Sequence, residues 1–264
     1  MMAALAACGV SDADKFSAPL LIAELDTDTV ERGPALTQDL LEIFFVTDYV
    51  EGRGGSTIMT ATRPDASTPF GPASIVTAVD SAAFEQHPFV SHDGLHLYFS
   101  RGSEIGADMY VTTRETRQSP WSAPVRASEL ESAADDLAVG IASDDLMLAL
   151  DSTRGDASRD LYLSSRVDAS QPWGEPRPIV ELDTSAQEKT PQLVDGGRTL
   201  WFTRDDDIFV ATRPDLSSPF GAPVAVDELD TPMIELDPWI SDDQRTIVFA
   251  SNRGTSYALY VATR

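Results

Sequence analysis

One three-part pattern, repeated five times in the same order, constrains this chain more than any other feature. Its first part is a short apolar strand ending in Thr-Arg or Ser-Arg. Copies are Met59-Thr60-Ala61-Thr62-Arg63, Tyr110-Val111-Thr112-Thr113-Arg114, Tyr162-Leu163-Ser164-Ser165-Arg166, Phe209-Val210-Ala211-Thr212-Arg213 and Tyr260-Val261-Ala262-Thr263-Arg264. The closing arginines stand 51, 52, 47 and 51 residues apart. The second part is a proline, an aromatic and a small residue: Pro69-Phe70-Gly71, Pro120-Trp121-Ser122, Pro172-Trp173-Gly174 and Pro219-Phe220-Gly221. A partial copy, Phe16-Ser17-Ala18-Pro19, precedes the first repeat. The third part is an acid three positions before a proline, as in Glu31…Pro34, Glu85…Pro88, Glu188…Pro191 and Glu235…Pro238. The third repeat departs from it, with Asp135 and then Ala138. A fixed period of this length marks units that cannot bury their apolar faces alone and must stack.

Each repeat parses into four strands. The innermost follows the acid, as in Pro88-Phe89-Val90, and a Ser-His-Asp-Gly turn at 91–94 leads to the second. Asp and Gly suit that hairpin because both tolerate positive φ. The second strands are apolar on both faces: Ile43-Phe44-Phe45, Leu97-Tyr98-Phe99, Leu148-Ala149-Leu150, Leu200-Trp201-Phe202 and Ile247-Val248-Phe249. Such runs indicate burial between two layers. The third strand is the one that ends in Arg. The fourth follows the Pro-aromatic element, where a proline fits an edge strand that leaves ladder donors unused. Short strands in units of about 50 residues predict an all-β fold, a five-bladed β-propeller of four-stranded antiparallel blades. The chain starts on a fourth strand (Phe16–Ile22) and ends on a third (Leu259–Arg264). Pairing these two closes the ring and removes a raw edge. The propeller is expected to span 16–264 and to be monomeric.

The markers resemble the WD40-like, or PD40, propeller repeat found in the C-terminal domain of TolB and in other cell-envelope proteins. The likeness is carried by His87-Pro88-Phe89-Val90-Ser91-His92-Asp93-Gly94, Leu97-Tyr98-Phe99-Ser100-Arg101 and Asp108-Met109-Tyr110-Val111. Trp121 to Pro124 and Trp173 to Pro176 extend it. The resemblance covers residues 16 to 264. It implies an extracytoplasmic binding scaffold, in the periplasm or on the outer membrane, that takes an envelope protein or a glycan as partner. A propeller hosts binding and catalysis alike, so the fold by itself selects neither.

Among 264 residues, Lys plus Arg number 19 and Asp plus Glu 43, a formal charge of −24. Such a chain repels phosphate backbones and anionic lipid surfaces, which disfavours nucleic acid and peripheral membrane binding. Cations or basic partners would be attracted. Cys8 is the single cysteine, so neither an internal disulfide nor a cysteine-cluster zinc site can form. Leu5-Ala6-Ala7-Cys8 resembles a lipobox, with Cys8 as the residue that would carry the lipid. The apolar stretch before it is short and has no positive residue. Residues 1–15 therefore read as the remnant of a lipoprotein signal and tether, or else as a plain disordered N-terminus.

The most pointed chemical pattern is the acid heading each innermost strand: Glu31, Glu85, Asp135, Glu188 and Glu235. In a closed ring these carboxylates would surround one end of the channel. Hard oxygen ligands in that arrangement would take Ca²⁺, or would contact a partner. The alternative is that each accepts backbone N–H bonds and locks the blades. No other cofactor is expected. A second acidic set lies in the loops from fourth to first strands: Glu24-Leu25-Asp26, Asp80, Glu129-Leu130-Glu131, Glu181-Leu182-Asp183 and Glu228-Leu229-Asp230. Together the two sets predict an acidic partner face. Arg101 with Asp108, Arg154 with Asp160 and Arg204 with Asp207 are the expected ion pairs within blades. His87, His92 and His96 share one repeat but sit on different local elements, which argues against a common metal. No phosphate loop, nucleophile elbow or zinc-protease helix is present. A non-catalytic partner-binding propeller is the leading expectation. A glycoside hydrolase using channel-side carboxylates, with Trp239 as the one aromatic near the channel, and a cation-stabilised structural propeller are the alternatives.

Overall fold

The computed structural model describes residues 15–27, 29–48, 55–102, 106–155 and 158–264. The expectations placed on Cys8 and on the tether fall almost wholly outside these. Blade 1 comprises β2 (Glu31–Leu36), β3 (Glu42–Thr47), β4 (Thr57–Thr62) and β5 (Ser74–Ile75). Blade 2 comprises β6 (Phe84–Val90), β7 (His96–Gly102), β8 (Asp108–Thr113) and β9 (Val125–Arg126). Blade 3 comprises β10 (Asp136–Ile141), β11 (Met147–Ser152), β12 (Asp160–Ser165) and β13 (Arg177–Pro178). Blade 4 comprises β14 (Glu188–Val194), β15 (Thr199–Arg204), β16 (Asp207–Thr212) and β17 (Val224–Ala225). Blade 5 comprises β18 (Glu235–Ile240), β19 (Thr246–Ser251), β20 (Ala258–Thr263) and, from the other end of the chain, β1 (Leu20–Leu21). All pairs are antiparallel, and Leu20 faces Val261 across the closure. The expected five-bladed ring and its clasp are both present. No described helix is long and apolar enough to cross a membrane.

The core is divided among the seams. Adjacent residues of each second strand serve opposite seams, because side chains alternate along a strand. Phe44 packs with Phe99 of blade 2, while Phe45 packs with Val248 of blade 5. Tyr98 joins Leu150, Ala149 joins Phe202, and Trp201 joins Phe249. Every neighbouring pair of blades thus shares one apolar cluster. Blade 3 carries smaller residues and sits closer to its neighbour. A β-carbon on Gly140 would lie 2.2 Å from the Pro191 carbonyl oxygen, so only glycine fits there.

Two of the sequence markers are one physical contact. Each repeat-ending arginine lies over the aromatic of the Pro-aromatic element: Arg63 over Phe70 at 4.3 Å, Arg114 over Trp121 at 4.3 Å, Arg166 over Trp173 at 4.0 Å, and Arg213 over Phe220 at 4.5 Å. The Nε atoms of these arginines donate to backbone carbonyls of the hairpin between first and second strands. The fifth copy forms across the closure, with Arg264 at 4.6 Å from the Phe16 ring. Planar guanidinium suits this double duty, stacking on a ring while donating in plane.

Candidate functional site

The five acids heading the innermost strands do not line the axis. Glu31, Glu85, Glu188 and Glu235 are buried and turned into their own blades. In blade 3 the residue in register is Asp136, not Asp135. Asp136 pairs with Ser152 as Glu235 pairs with Ser251, whereas Asp135 accepts the Gly106 and Ala107 N–H groups. Each carboxylate accepts from a Ser or Thr four residues earlier: Thr27, Ser81, Ser132, Thr184 and Thr231. Four also hold an arginine from the end of the second strand. The pairs are Arg101–Glu85 at 2.9 Å, Arg154–Asp136 at 2.5 Å, Arg204–Glu188 at 2.8 Å and Arg253–Glu235 at 2.9 Å. The Nη2 of each of these arginines also donates to the carbonyl of Val79, Leu130, Leu182 or Leu229 in the preceding loop. These pairings replace the expected Arg101–Asp108, Arg154–Asp160 and Arg204–Asp207. Register alone does not choose, since Arg101 lies opposite both Glu85 and Asp108, and Arg204 opposite both Glu188 and Asp207; the arginines take the fully buried glutamates and leave the half-buried aspartates. Burial pushes the Glu31 and Glu85 carboxyls above the ordinary range, against the hydrogen bonds from Thr27 and from Ser81 and Arg101.

The loop acids are engaged as well. Glu24, Glu181 and Glu228 accept the backbone N–H of Phe70, Phe220 and Phe16, each in the next blade round the ring. Asp80 accepts the Thr57 hydroxyl, and Glu131 holds Arg126. Three of the loop acids thus join neighbouring blades, and Asp80 and Glu131 are held within their own.

The axis holds a different set. A cavity of about 160 Å³ opens where the innermost strands begin. Arg32, Gln86, His87, Arg159, Lys189, Thr190 and Asp237 supply its polar wall. Below it the channel narrows to about 30 Å³, walled by Pro34, Pro88, Pro191, Pro238 and the buried Trp239. That is room for roughly one water. Gly33, His87, Thr190 and Asp237 form the step between the two, and all four have positive φ. Each precedes a proline, and each falls within the bulge where the first and second strands lose register. Blade 3, with Val139 in place of proline, bulges one residue earlier and has no positive φ there. Left-handed backbone at His87, Thr190 and Asp237 stores strain of about 1–3 kcal/mol per residue and aims these positions at the axis.

Three cations and one acid line this cavity, and each cation also meets an acid outside the lining. Arg159 is paired with the buried Asp151, its Nε donating at 2.7 Å. Asp151 also accepts the Ala138 N–H. Arg32 forks onto Asp48, and Lys189 lies 3.4 Å from Asp206. Asp237 accepts the Gly33 N–H at 3.0 Å, tying blade 5 to blade 1. Burial pushes Asp237 up, opposed by Arg32, the Gly33 N–H, Arg159 and Lys189. Burial, reinforced by Arg159, Arg32 and Lys189, holds His87 well below the usual imidazole range, so the ring is neutral at pH 7. His92 instead meets Asp242 and His96 meets Asp93, so the three histidines do not converge.

No protein-family profile and no curated protein sequence matches the chain. Solved structures do share its fold. A TolB from Acinetobacter baumannii superposes with a TM-score of 0.57 at 18% identity, over 91% of this chain. The chain spans only 55% of that protein's length. The catalytic domain of a GH62 α-L-arabinofuranosidase from Coprinopsis cinerea gives 0.61 at 13% identity, covering 94% of this chain and 96% of the domain. A periplasmic gluconolactonase from Pseudomonas aeruginosa gives 0.51 at 14% identity, over 83% of this chain and 64% of that one. These likenesses establish a propeller fold shared with TolB proteins.

Proposed function

We propose that this protein is a non-catalytic, extracytoplasmic propeller that binds an envelope protein or glycan by taking one of its acidic groups into the axial mouth. The carrying observation is the convergence of Arg32, Arg159 and Lys189 on one cavity in a chain of net charge −24. Cations at the mouth of a low-dielectric cavity focus the local field and favour an entering anion. The volume is below the roughly 300–1,000 Å³ of ordinary small-molecule pockets, so it suits one side chain or terminal group of a larger ligand. The acidic loop face moves to a supporting role, because many of its carboxylates are already engaged, within their own blades or with the next one. The lipobox-like Leu5-Ala6-Ala7-Cys8 and the fold shared with a periplasmic gluconolactonase support export.

Titration calorimetry with acidic peptides and uronate oligosaccharides, beside their amidated or neutral counterparts, tests the reading. Binding of the acidic members alone is expected, and Lys189→Met or Arg32→Gln should weaken it. Equal binding of neutral counterparts, or no binding at all, sinks it. The arabinofuranosidase likeness favours a hydrolase as the second reading. That chemistry needs two carboxyl groups free to act as acid and as base or nucleophile. Asp151 and Asp237, the axial candidates, are each held by backbone N–H groups, and Asp151 by Arg159 as well. Turnover of aryl glycosides that vanishes in Asp237→Asn would restore the hydrolase reading.

A further inference from the structure

The same three sequence positions recur at every seam between blades. They are the first residue of a third strand, the acid after the fourth strand, and the acid heading the next blade. Three seams carry acids at all three: Asp108, Glu131 and Asp136; Asp160, Asp183 and Glu188; Asp207, Asp230 and Glu235. Three carboxylates in one place demand compensation. The first seam has Arg126, whose guanidinium meets both Asp108 and Glu131. At the third, both carboxylate oxygens of Glu235 are already satisfied. Burial and the neighbouring Asp230 push Asp207 up to about 6, while Glu235 is engaged by Thr231, Ser251 and Arg253.

We propose that the middle seam, Asp160, Asp183 and Glu188, binds Ca²⁺ or a similar hard divalent cation. One ligand oxygen from each of the three lies within 4.8 Å of the others. Oxygens 2.3–2.6 Å from a shared Ca²⁺ stand at most about 5 Å apart, so one ion can reach all three. Glu188 is fully buried. Its Oε1 accepts from Thr184 and Arg204, but its Oε2 accepts no hydrogen bond. A buried carboxylate oxygen without a donor is costly, and a cation satisfies it. Glu85 Oε2 is similarly placed, but its seam offers Thr57 in place of the first acid, with too few anionic ligands. The register position of Arg126 is Pro178 at the middle seam, which supplies no charge. Asp183 is exposed and gives the ion its path from solvent, where waters complete the coordination.

Chelator-treated protein is titrated with Ca²⁺ in thermal melts and with Tb³⁺ by luminescence. The wild type should melt higher with Ca²⁺ and should bind Tb³⁺. Asp183→Asn should weaken both by about 10-fold or more, since ligand charge sets affinity. Asp230→Asn, on the third seam, should leave them unchanged. Pro178→Arg should abolish ion binding while keeping the melting temperature at or above the ion-bound level. An unresponsive wild type overturns the proposal. So does Asp183→Asn with unchanged affinity, or Asp230→Asn with the same loss as Asp183→Asn.

Discussion

The outer contact between arginine and aromatic is repeated in all five blades, from Arg63 on Phe70 to Arg264 on Phe16. On the axis four blades repeat a proline, but the polar wall above these prolines is not repeated. Following the acid, successive blades offer Arg32-Gly33, Gln86-His87, Leu137-Ala138, Lys189-Thr190 and Leu236-Asp237. The backbone is nearly the same in four of these places, yet the side chains differ in charge, size and polarity. A position fixed by blade packing has one physical problem to solve and solves it the same way each time. A position facing an asymmetric ligand has no such constraint. Repetition therefore marks the scaffold, and its breakdown marks the candidate site.

Substitutions separate the two regions. Phe16→Ala removes the ring under Arg264 and leaves a hole beside Trp201 at the closure. It should destabilise by about 3–5 kcal/mol in denaturant unfolding. Glu235→Ala strands Arg253 and two hydroxyl donors in a largely buried setting, for a loss of about 3 kcal/mol. Similar losses on both sides of a blade, with partner binding retained at low temperature, would confirm the scaffold role. A Glu235→Ala protein of unchanged stability would break the comparison.

His87 reports on the axis through pH. Its folded pKa lies below the ordinary 6.5, so stability is full above 6.5 and is lost as pH falls through that value. Between pH 7.5 and 5.5 the loss should be about 1 kcal/mol, and His87→Asn should flatten it. Melts at the two pH values check this. Lys189→Met gives the smallest stability change, within about 0.5 kcal/mol, because its contact with Asp206 is long and half-exposed. Its effect should fall on ligand binding alone.

The sequence carried the blade count and the clasp because each rests on local signals in phase: turn residues, apolar runs and edge prolines. It also carried the acids heading the strands, though not their partners. The second strand puts Arg101 opposite both Asp108 and Glu85, and Arg204 opposite both Asp207 and Glu188, and burial of the glutamates, which no local spacing reveals, settles the choice. Asp136 does not stand out from Asp135 in the sequence, because blade 3 has no proline to mark the bulge. Arg32, Arg159 and Lys189 are illegible in the sequence for a different reason. They come from three different blades, and the overall charge pointed the opposite way. Only a closed ring brings them together.

The clasp has a consequence during synthesis. β1 is translated long before β20, its one sheet partner. Meanwhile Phe16 and Ile22 on its two sides belong to the apolar clusters on either side of blade 5. A nascent chain halted before Ala258 thus shows two greasy surfaces at once, one at each end of an open arc. Chaperone capture of such stalled chains, ended once β20 is made, is the expected cost of sealing a circle with strands far apart in the chain.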